Sequence, residues 1–316
     1  MMLKNIVFMG TPAFAVPSLK LLAAGAFRPV LCITQPDRPK GRKRRLAPPP
    51  VKVAAQELGI DVIQPEDVND AEVISLVKEL QPDVVVTVAY GGYLKKAIRR
   101  LPRLGCINLH PSLLPRYRGS APINFALFHG DVTTGISIFR IVAAMDAGPL
   151  LRQLEVSILP GECYTALQDR LSILGADELL KTLTDLAEGT AAPWQQNHDL
   201  ATFSHKLTHP DFCIDWHKSA TEIVNRVRGL AEAPGAVAQF RQEPIKIIDV
   251  TPLNQKTTSS PGCVIDVRKN QGIVVSTTDT DLLITRVQPA GKKIMPAYAY
   301  HLGAQIESGE LFSNGL

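Results

Sequence analysis

Asp83-Val84-Val85-Val86-Thr87-Val88 is a valine-dominated run in which Val84-Val85-Val86 shows no polar/apolar alternation. β-branched side chains favour strands, and a strand without alternation suits the middle of a parallel sheet, covered on both faces. Similar runs recur on either side, at Ile6–Met9, Val30–Thr34, Cys106–Leu109 and Ile136–Ile141. Between them lie Ser18–Ala24, Val51–Leu58, Ala71–Leu80, Ala121–His129 and Tyr164–Ala187, whose apolar residues follow helical spacing. That alternation predicts βαβ units and an α/β domain with a mostly parallel sheet over residues 1–189.

The pattern changes beyond Gly189. Residues 190–209 are polar and irregular, with Pro193, Gln195, Gln196, Asn197 and His198, and read as a linker. Over 210–316 the apolar runs are short and separated by turn residues: Pro244–Val250, Gly262–Val267, Gly272–Thr277 and Leu282–Val287. Strands at that spacing predict a smaller β-barrel or sandwich. A length of 316 residues suits two domains, and 45% apolar with 20% charged residues excludes a disordered chain.

Cys32, Cys106, Cys163, Cys213 and Cys263 are dispersed without a CxxC pair, which points to free thiols in a reducing compartment. No apolar run approaches the roughly 20 residues of a membrane span, and no targeting segment precedes the strand-like Lys4–Met9. A cytoplasmic location without membrane contact is the expectation. The seven histidines are scattered, so no metal box is visible, and Gly10-Thr11-Pro12 is not a GxGxxG, so no nicotinamide site is indicated.

The net charge of +4 is mild, but six cations fall within the eight residues Arg38–Arg45. Pro39 and Gly41 keep this stretch out of a helix, and it leaves the C-terminal end of the second strand, where open α/β sheets bind ligands. Such charge density invites a polyanion by displacing its counterions. A merely solvated loop fits the charge pattern equally well.

Gly105-Cys106-Ile107-Asn108-Leu109-His110-Pro111-Ser112-Leu113-Leu114-Pro115-Arg116-Tyr117-Arg118-Gly119 carries the chemistry. A strand that puts Ile107 and Leu109 on one face puts Asn108 and His110 on the other, at the strand's end. Asn can donate to a carbonyl oxygen; His can donate to the same oxygen as it turns negative, or shuttle a proton. Asp146, in Met145-Asp146-Ala147-Gly148, can hold an imidazole or accept a proton from an amine. Alone, each residue reads as a turn former or a satisfied core residue. Together they outline an acyl-transfer site, without a GxSxG nucleophile.

Asn-x-His, the following Ser112-Leu113-Leu114-Pro115 and an Asp some thirty-five residues on resemble the signature of the folate-dependent formyltransferases. Three further stretches are similar to the tRNA-acting branch of that family. They are Met9-Gly10-Thr11-Pro12-Ala13-Phe14-Ala15, the Thr34–Lys52 segment with Gln35-Pro36-Asp37-Arg38-Pro39, and Val287-Gln288-Pro289-Ala290-Gly291-Lys292-Lys293-Ile294-Met295. The resemblance spans almost the whole chain. It implies a Rossmann-like catalytic domain using 10-formyltetrahydrofolate as formyl donor, with no metal, and a C-terminal barrel resembling an OB-fold that binds tRNA.

Asn108, His110 and Asp146 would be the catalytic trio, and Ser112, Leu113, Leu114 and Pro115 the folate-contacting loop. Arg42, Lys43, Arg44 and Arg45 would face tRNA. The implied acceptor is the amino group of methionyl-initiator tRNA, and the implied state a monomer. The chain departs from the family pattern at Asp146-Ala147-Gly148-Pro149, where Asp-Thr-Gly-Asp is usual. It departs again at Ala231-Glu232-Ala233-Pro234, where Asn-Pro-Trp-Pro is usual. Sibling enzymes acting on a sugar nucleotide or glycinamide ribonucleotide share the Asn-x-His motif but not the basic insertion or the Lys292-Lys293 tail. A non-catalytic RNA-binding module of the same fold would not need the trio.

Overall fold

The computed structural model of the protein describes residues 3–40, 45–257 and 259–315. In chain order the first elements are β1 (Ile6–Gly10), α1 (Val16–Ala24), β2 (Leu31–Ile33), β3 (Arg38–Lys40), β4 (Arg45–Ala47), α2 (Pro50–Glu57) and β5 (Val62–Ile63). Then come α3 (Ala71–Glu79), β6 (Val84–Val88), α4 (Lys96–Arg99), β7 (Cys106–His110), β8 (Arg118–Gly119) and α5 (Pro122–Phe128). They are followed by β9 (Thr133–Arg140), β10 (Leu150–Ser157), α6 (Tyr164–Glu188), β11 (Phe203–Ser204), α7 (His209–Phe212) and α8 (Ala220–Arg228). The last are β12 (Ala236–Phe240), β13 (Glu243–Lys256), β14 (Val264–Arg268), β15 (Gly272–Val275), β16 (Thr280–Pro289), β17 (Met295–Pro296), α9 (Ala297–Ala304) and β18 (Phe312–Asn314).

The chain forms two compact units that do not follow its linear order. The first holds residues 1–119, 133–157 and 168–203; the second holds 120–132, 158–167 and 204–316. The first unit is built on a seven-stranded sheet in the order β10-β9-β7-β6-β1-β2-β5. The five strands from β7 to β5 are parallel, whereas β9 and β10 run antiparallel at one edge. Every residue of β1 and β6 is buried, as the unalternating valines require.

One face of this sheet packs Val7, Met9, Leu31, Ile33, Val85 and Cys106 against Val73 and Val77 of α3 and Ile98 of α4. On the other face, Leu109 lies where a Cβ at Gly175 of α6 would meet its side chain, so the glycine permits close approach. The chain departs from β1 to one side through β2 and β5, and to the other through β6 and β7. That junction is a topological switch point, and the C-terminal ends of the strands there are where open α/β sheets bind ligands. Across the junction, the Thr11 hydroxyl, just past β1, donates to the Tyr90 carbonyl, just past β6, at 2.8 Å.

The second unit contains an antiparallel sheet in the order β14-β15-β16-β13-β12-β18, with β17 paired to β16. Register shifts along β13 near Asp249 bend this long strand. The two edges meet where Phe312 N donates to Gly262 O and Val264 N to Glu310 O, both at 2.8 Å, so the sheet curls into a barrel. Trp216, Phe240 and Phe312 fill it, the last two with ring centroids 4.7 Å apart. Ser219 and Glu222 form a capping box at the start of α8, whose Ile223 and Val227 face this core. Among the described residues, no helix is long and apolar enough to cross a membrane.

Two expectations change. The Arg38–Arg45 stretch, read as an irregular loop, is flanked by a short hairpin that pairs Arg38 with Ala47 and Lys40 with Arg45. The Ile136–Ile141 run, read as one more strand of βαβ units, is an antiparallel strand and part of the longer β9.

Candidate active site

β7 delivers Asn108 and His110 to one face at the C-terminal end of the sheet, as its alternation requires. Asn108 stands opposite Thr87 on β6 and opposite Phe139 on β9; His110 stands opposite Ser137. Thr87, 4% exposed and the one hydroxyl among the valines of β6, donates to the Asn108 carbonyl oxygen at 2.6 Å. That separation is typical of O–H···O and short for N–H···O, so the Asn108 oxygen faces the hydroxyl. Its NH2 group is therefore turned away from Thr87 and is available as a donor.

His110 is buried, with its ring edge on Phe139. Its Nε2 lies 2.9 Å from the backbone carbonyl oxygen of Tyr117. A carbonyl can only accept, so Nε2 carries the hydrogen and Nδ1 is the nitrogen left for chemistry. Nδ1 faces the Asp146 carboxylate, with Oδ2 at 3.8 Å. The same Oδ2 accepts the backbone N–H of Gly119 at 2.7 Å. The tautomer is thus held by Tyr117 rather than by Asp146, the partner expected from sequence.

Asp146 has φ 49, in the left-handed region that Asp tolerates better than most residues. Such outliers gather at functional sites. Two residues on, a Cβ at Gly148 would collide with the Arg140 carbonyl oxygen, so only glycine fits. Arg118 is buried nearby; burial pulls its guanidinium below its usual value, and the Asp146 charge pushes it back up. It remains a cation at any physiological pH.

The loop after His110 is bound from beneath. Ser137 Oγ donates to Ser112 O at 2.6 Å and accepts Leu114 N at 3.0 Å, while Gln153 Nε2 donates to Leu114 O at 3.0 Å. Ser112 donates to Arg116 O at 2.6 Å and is fully buried, and Leu114 packs on Phe139 and Leu150. Of the four residues expected to contact folate, Leu113 and Pro115 are the partly exposed pair. Cys106 offers no rival nucleophile, since burial pushes its thiol up to about 12.

The basic hairpin leaves the same end of the sheet. At its base Lys52 pairs with Asp37 at 2.9 Å, and Gln64 donates to Asp37 at 2.7 Å; these two contacts, Gln64 first, hold the Asp37 carboxyl below its usual range. Arg45 is exposed on β4. Arg42, Lys43 and Arg44 lie outside the described residues.

An amide, an imidazole and a carboxylate gathered at the strand ends of an α/β sheet, on a chain that continues into a barrel, suit a group-transfer enzyme. Residues 4–183 match the formyl transferase family model and residues 206–305 the model of the formyl transferase C-terminal domain. The chain belongs to the formyl transferase family. It is 41% identical over 308 residues to a methionyl-tRNA formyltransferase of Bacillus subtilis (strain 168), covering 97% of both chains. It is 41% identical over 305 residues to the protein of the same name in Geobacter metallireducens, covering 96% of this chain and 97% of that one. In fold it resembles a sugar 3N-formyl transferase crystallised with dTDP and 5-N-formyl-THF, with a TM-score of 0.67 at 15% identity, covering 93% of this chain and all of that one. It also resembles HypX from Aquifex aeolicus in complex with tetrahydrofolic acid, with a TM-score of 0.61 at 15% identity, covering 99% of this chain and 51% of that one.

Thr87, Ser137 and Gln153 belong to no motif that the sequence picks out, and Tyr117 and Gly119 lie within the Gly105–Gly119 stretch but receive no role from it; only Thr87, a lone hydroxyl in an apolar strand, leaves a visible signal. Thr87→Val keeps the volume and removes the donor that orients Asn108. We expect kcat for formyl transfer to fall about tenfold or more, with Thr87→Ser near wild type. Wild-type kcat in Thr87→Val would show that Asn108 needs no such support.

Proposed function

We propose that this protein transfers the formyl group of 10-formyltetrahydrofolate to the amino group of methionyl-initiator tRNA, supplying formylmethionyl-tRNA for translation initiation. The observation that carries the reading is the Asn108, His110 and Asp146 site on a chain whose relatives over nearly its full length are methionyl-tRNA formyltransferases. The sugar-modifying structures share the fold at 15–17% identity, which favours the tRNA reading over the sugar-nucleotide one. Leu113 and Pro115, partly exposed beyond the C-terminal end of β7, offer the surface for the folate.

In this mechanism the Asn108 NH2 group donates to the formyl oxygen as it turns negative during attack by the amine. His110, when protonated at Nδ1, adds a second donor. One such donor is worth about 10²–10³ in rate. Asp146 takes the proton that the amine sheds as its new bond to the formyl carbon forms. His110 gives its Nδ1 proton to the carrier nitrogen as the old bond to that carbon breaks. Asp146 then returns its proton to His110 once the 3.8 Å between Oδ2 and Nδ1 tightens to hydrogen-bond distance in the substrate complex, and the site is reset with atoms and charge balanced.

Arg42, Lys43, Arg44 and Arg45 supply cations for the tRNA backbone, and Asp37, Lys52 and Gln64 anchor the start of the basic segment. Phosphate contacts position a nucleic acid and bind it in a salt-dependent way.

Two experiments check this. With charged initiator tRNA and formyl-folate, the wild type should block the methionyl amine, and Asp146→Asn should lose about 10³-fold or more in kcat with an unchanged circular dichroism spectrum. Transfer to an amino-sugar nucleotide and none to the charged tRNA would sink the assignment. Replacing Arg42, Lys43, Arg44 and Arg45 with Ala should weaken tRNA binding and flatten the log–log salt slope by about one for each phosphate no longer neutralised. An unchanged slope would leave the hairpin merely solvated.

A further inference from the structure

Gln196 belongs to the stretch that sequence reads as a linker, yet it is only 5% exposed. We infer that Gln196 is a positioning residue for the reaction, clamping the Asp146 loop so that its carboxylate meets His110, with Arg118 fixing the direction of the clamp. This rests on the proposed role of Asp146 as the proton acceptor.

The hydrogen bonding leaves one orientation for the Gln196 amide. Its Oε1 accepts from Arg118 Nε at 3.2 Å and from Nη2 at 2.6 Å. A guanidinium has no acceptor, so the oxygen must face it. Nε2 is thereby aimed the other way and donates to both Asp146 O and Gly148 O, each at 2.8 Å. Both amide hydrogens are spent on the two carbonyls that bracket Ala147. Arg118 is itself tied down, since its N–H donates to Thr202 O at 2.9 Å and its Nη2 to His198 Nδ1 at 2.8 Å.

The clamp acts on the strained part of the loop. Asp146 sits at φ 49 and Gly148 cannot carry a side chain, so the turn needs contacts that favour it over relaxed alternatives. Gln196 grips the backbone of Asp146, and the residue after Arg118, Gly119, grips its carboxylate at 2.7 Å. The segment carrying Gln196 is held in turn by Trp194, which exchanges backbone hydrogen bonds with Leu150 at 2.8 and 3.0 Å. Arg118, Gly119, Asp146 and Gln196 thus form one unit around the acid end of the site. Buried networks in which every group is satisfied hold geometry better than isolated pairs.

Gln196→Glu tests the clamp with the least disturbance. It keeps the size and the Arg118 contact but presents an oxygen to the two loop carbonyls. Gln196→Ala removes the clamp outright. Both are measured in single-turnover formyl transfer, in wild-type and Asp146→Asn backgrounds, with amide hydrogen exchange at Gly119 as the readout independent of activity. We expect a loss of about tenfold or more in rate, KM for tRNA within about twofold, and faster exchange of the Gly119 amide. In the Asp146→Asn background the Gln196 substitutions should add almost nothing. Wild-type rate and Gly119 protection in Gln196→Glu, or the same fold-loss in both backgrounds, would overturn the inference. If Asp146→Asn keeps the wild-type rate, the role of Asp146 as acceptor fails instead, and Gly119 exchange alone decides whether Gln196 holds the loop.

Discussion

The hydrogen bond from His110 Nε2 to the Tyr117 carbonyl decides how the rest of the site is used. It takes the ring's outward N–H out of the chemistry and leaves Nδ1, the nitrogen that faces Asp146, as the working atom. A histidine free to exchange tautomers would present a donor or an acceptor to the substrate at random. Holding one tautomer by a backbone carbonyl makes its role independent of any titrating partner. That carbonyl reaches back because Tyr117 turns through φ 59, which allows a seven-residue loop to return to the strand it left. The Ser112, Ser137 and Gln153 bonds hold the shape of that loop.

The groups of the candidate site come from distant parts of the chain and are brought together by sheet register. Thr87 and Asn108 meet because β6 and β7 are parallel neighbours, and Ser137 stands beside His110 because β9 runs antiparallel to β7. Asp146 follows β9 on a loop that needs help from Arg118, Gly119 and Gln196. A rigid strand thus carries Asn108 and His110, while a braced loop carries Asp146. Site residues on strands are the more accurately placed, so the bracing is concentrated where the scaffold is weakest.

Much of this was legible in the sequence. Unbroken valines marked the central strand, period-2 spacing put Asn108 and His110 on one face, and the short turn-bounded runs announced the barrel. β10 escaped because Arg152, Gln153 and Glu155 interrupt its apolar residues on an exposed edge, and β12 because Ala236 and Ala238 are weak strand formers. The hairpin looked irregular because of Pro39, which a two-stranded ribbon tolerates more readily than a sheet interior does. The His110 tautomer was not legible at all, since its partner is a backbone carbonyl whose direction depends on a dihedral angle. Gln196 was hidden for a related reason: a polar side chain in a polar stretch gives no sign that it is buried.

Membership of the formyl transferase family accounts for the barrel that follows the α/β sheet. In the proposed mechanism, the Tyr117–His110–Asp146 arrangement lets a site without an activated nucleophile move protons in both halves of the transfer. ¹⁵N NMR of the His110 ring in the intact protein tests this arrangement most directly. At a pH where the ring is neutral, His110 should be in the Nε2–H form, with Nδ1 unprotonated, and should stay so in Asp146→Asn. A Nδ1–H form, or a mixture that changes when Asp146 is replaced, would contradict the account.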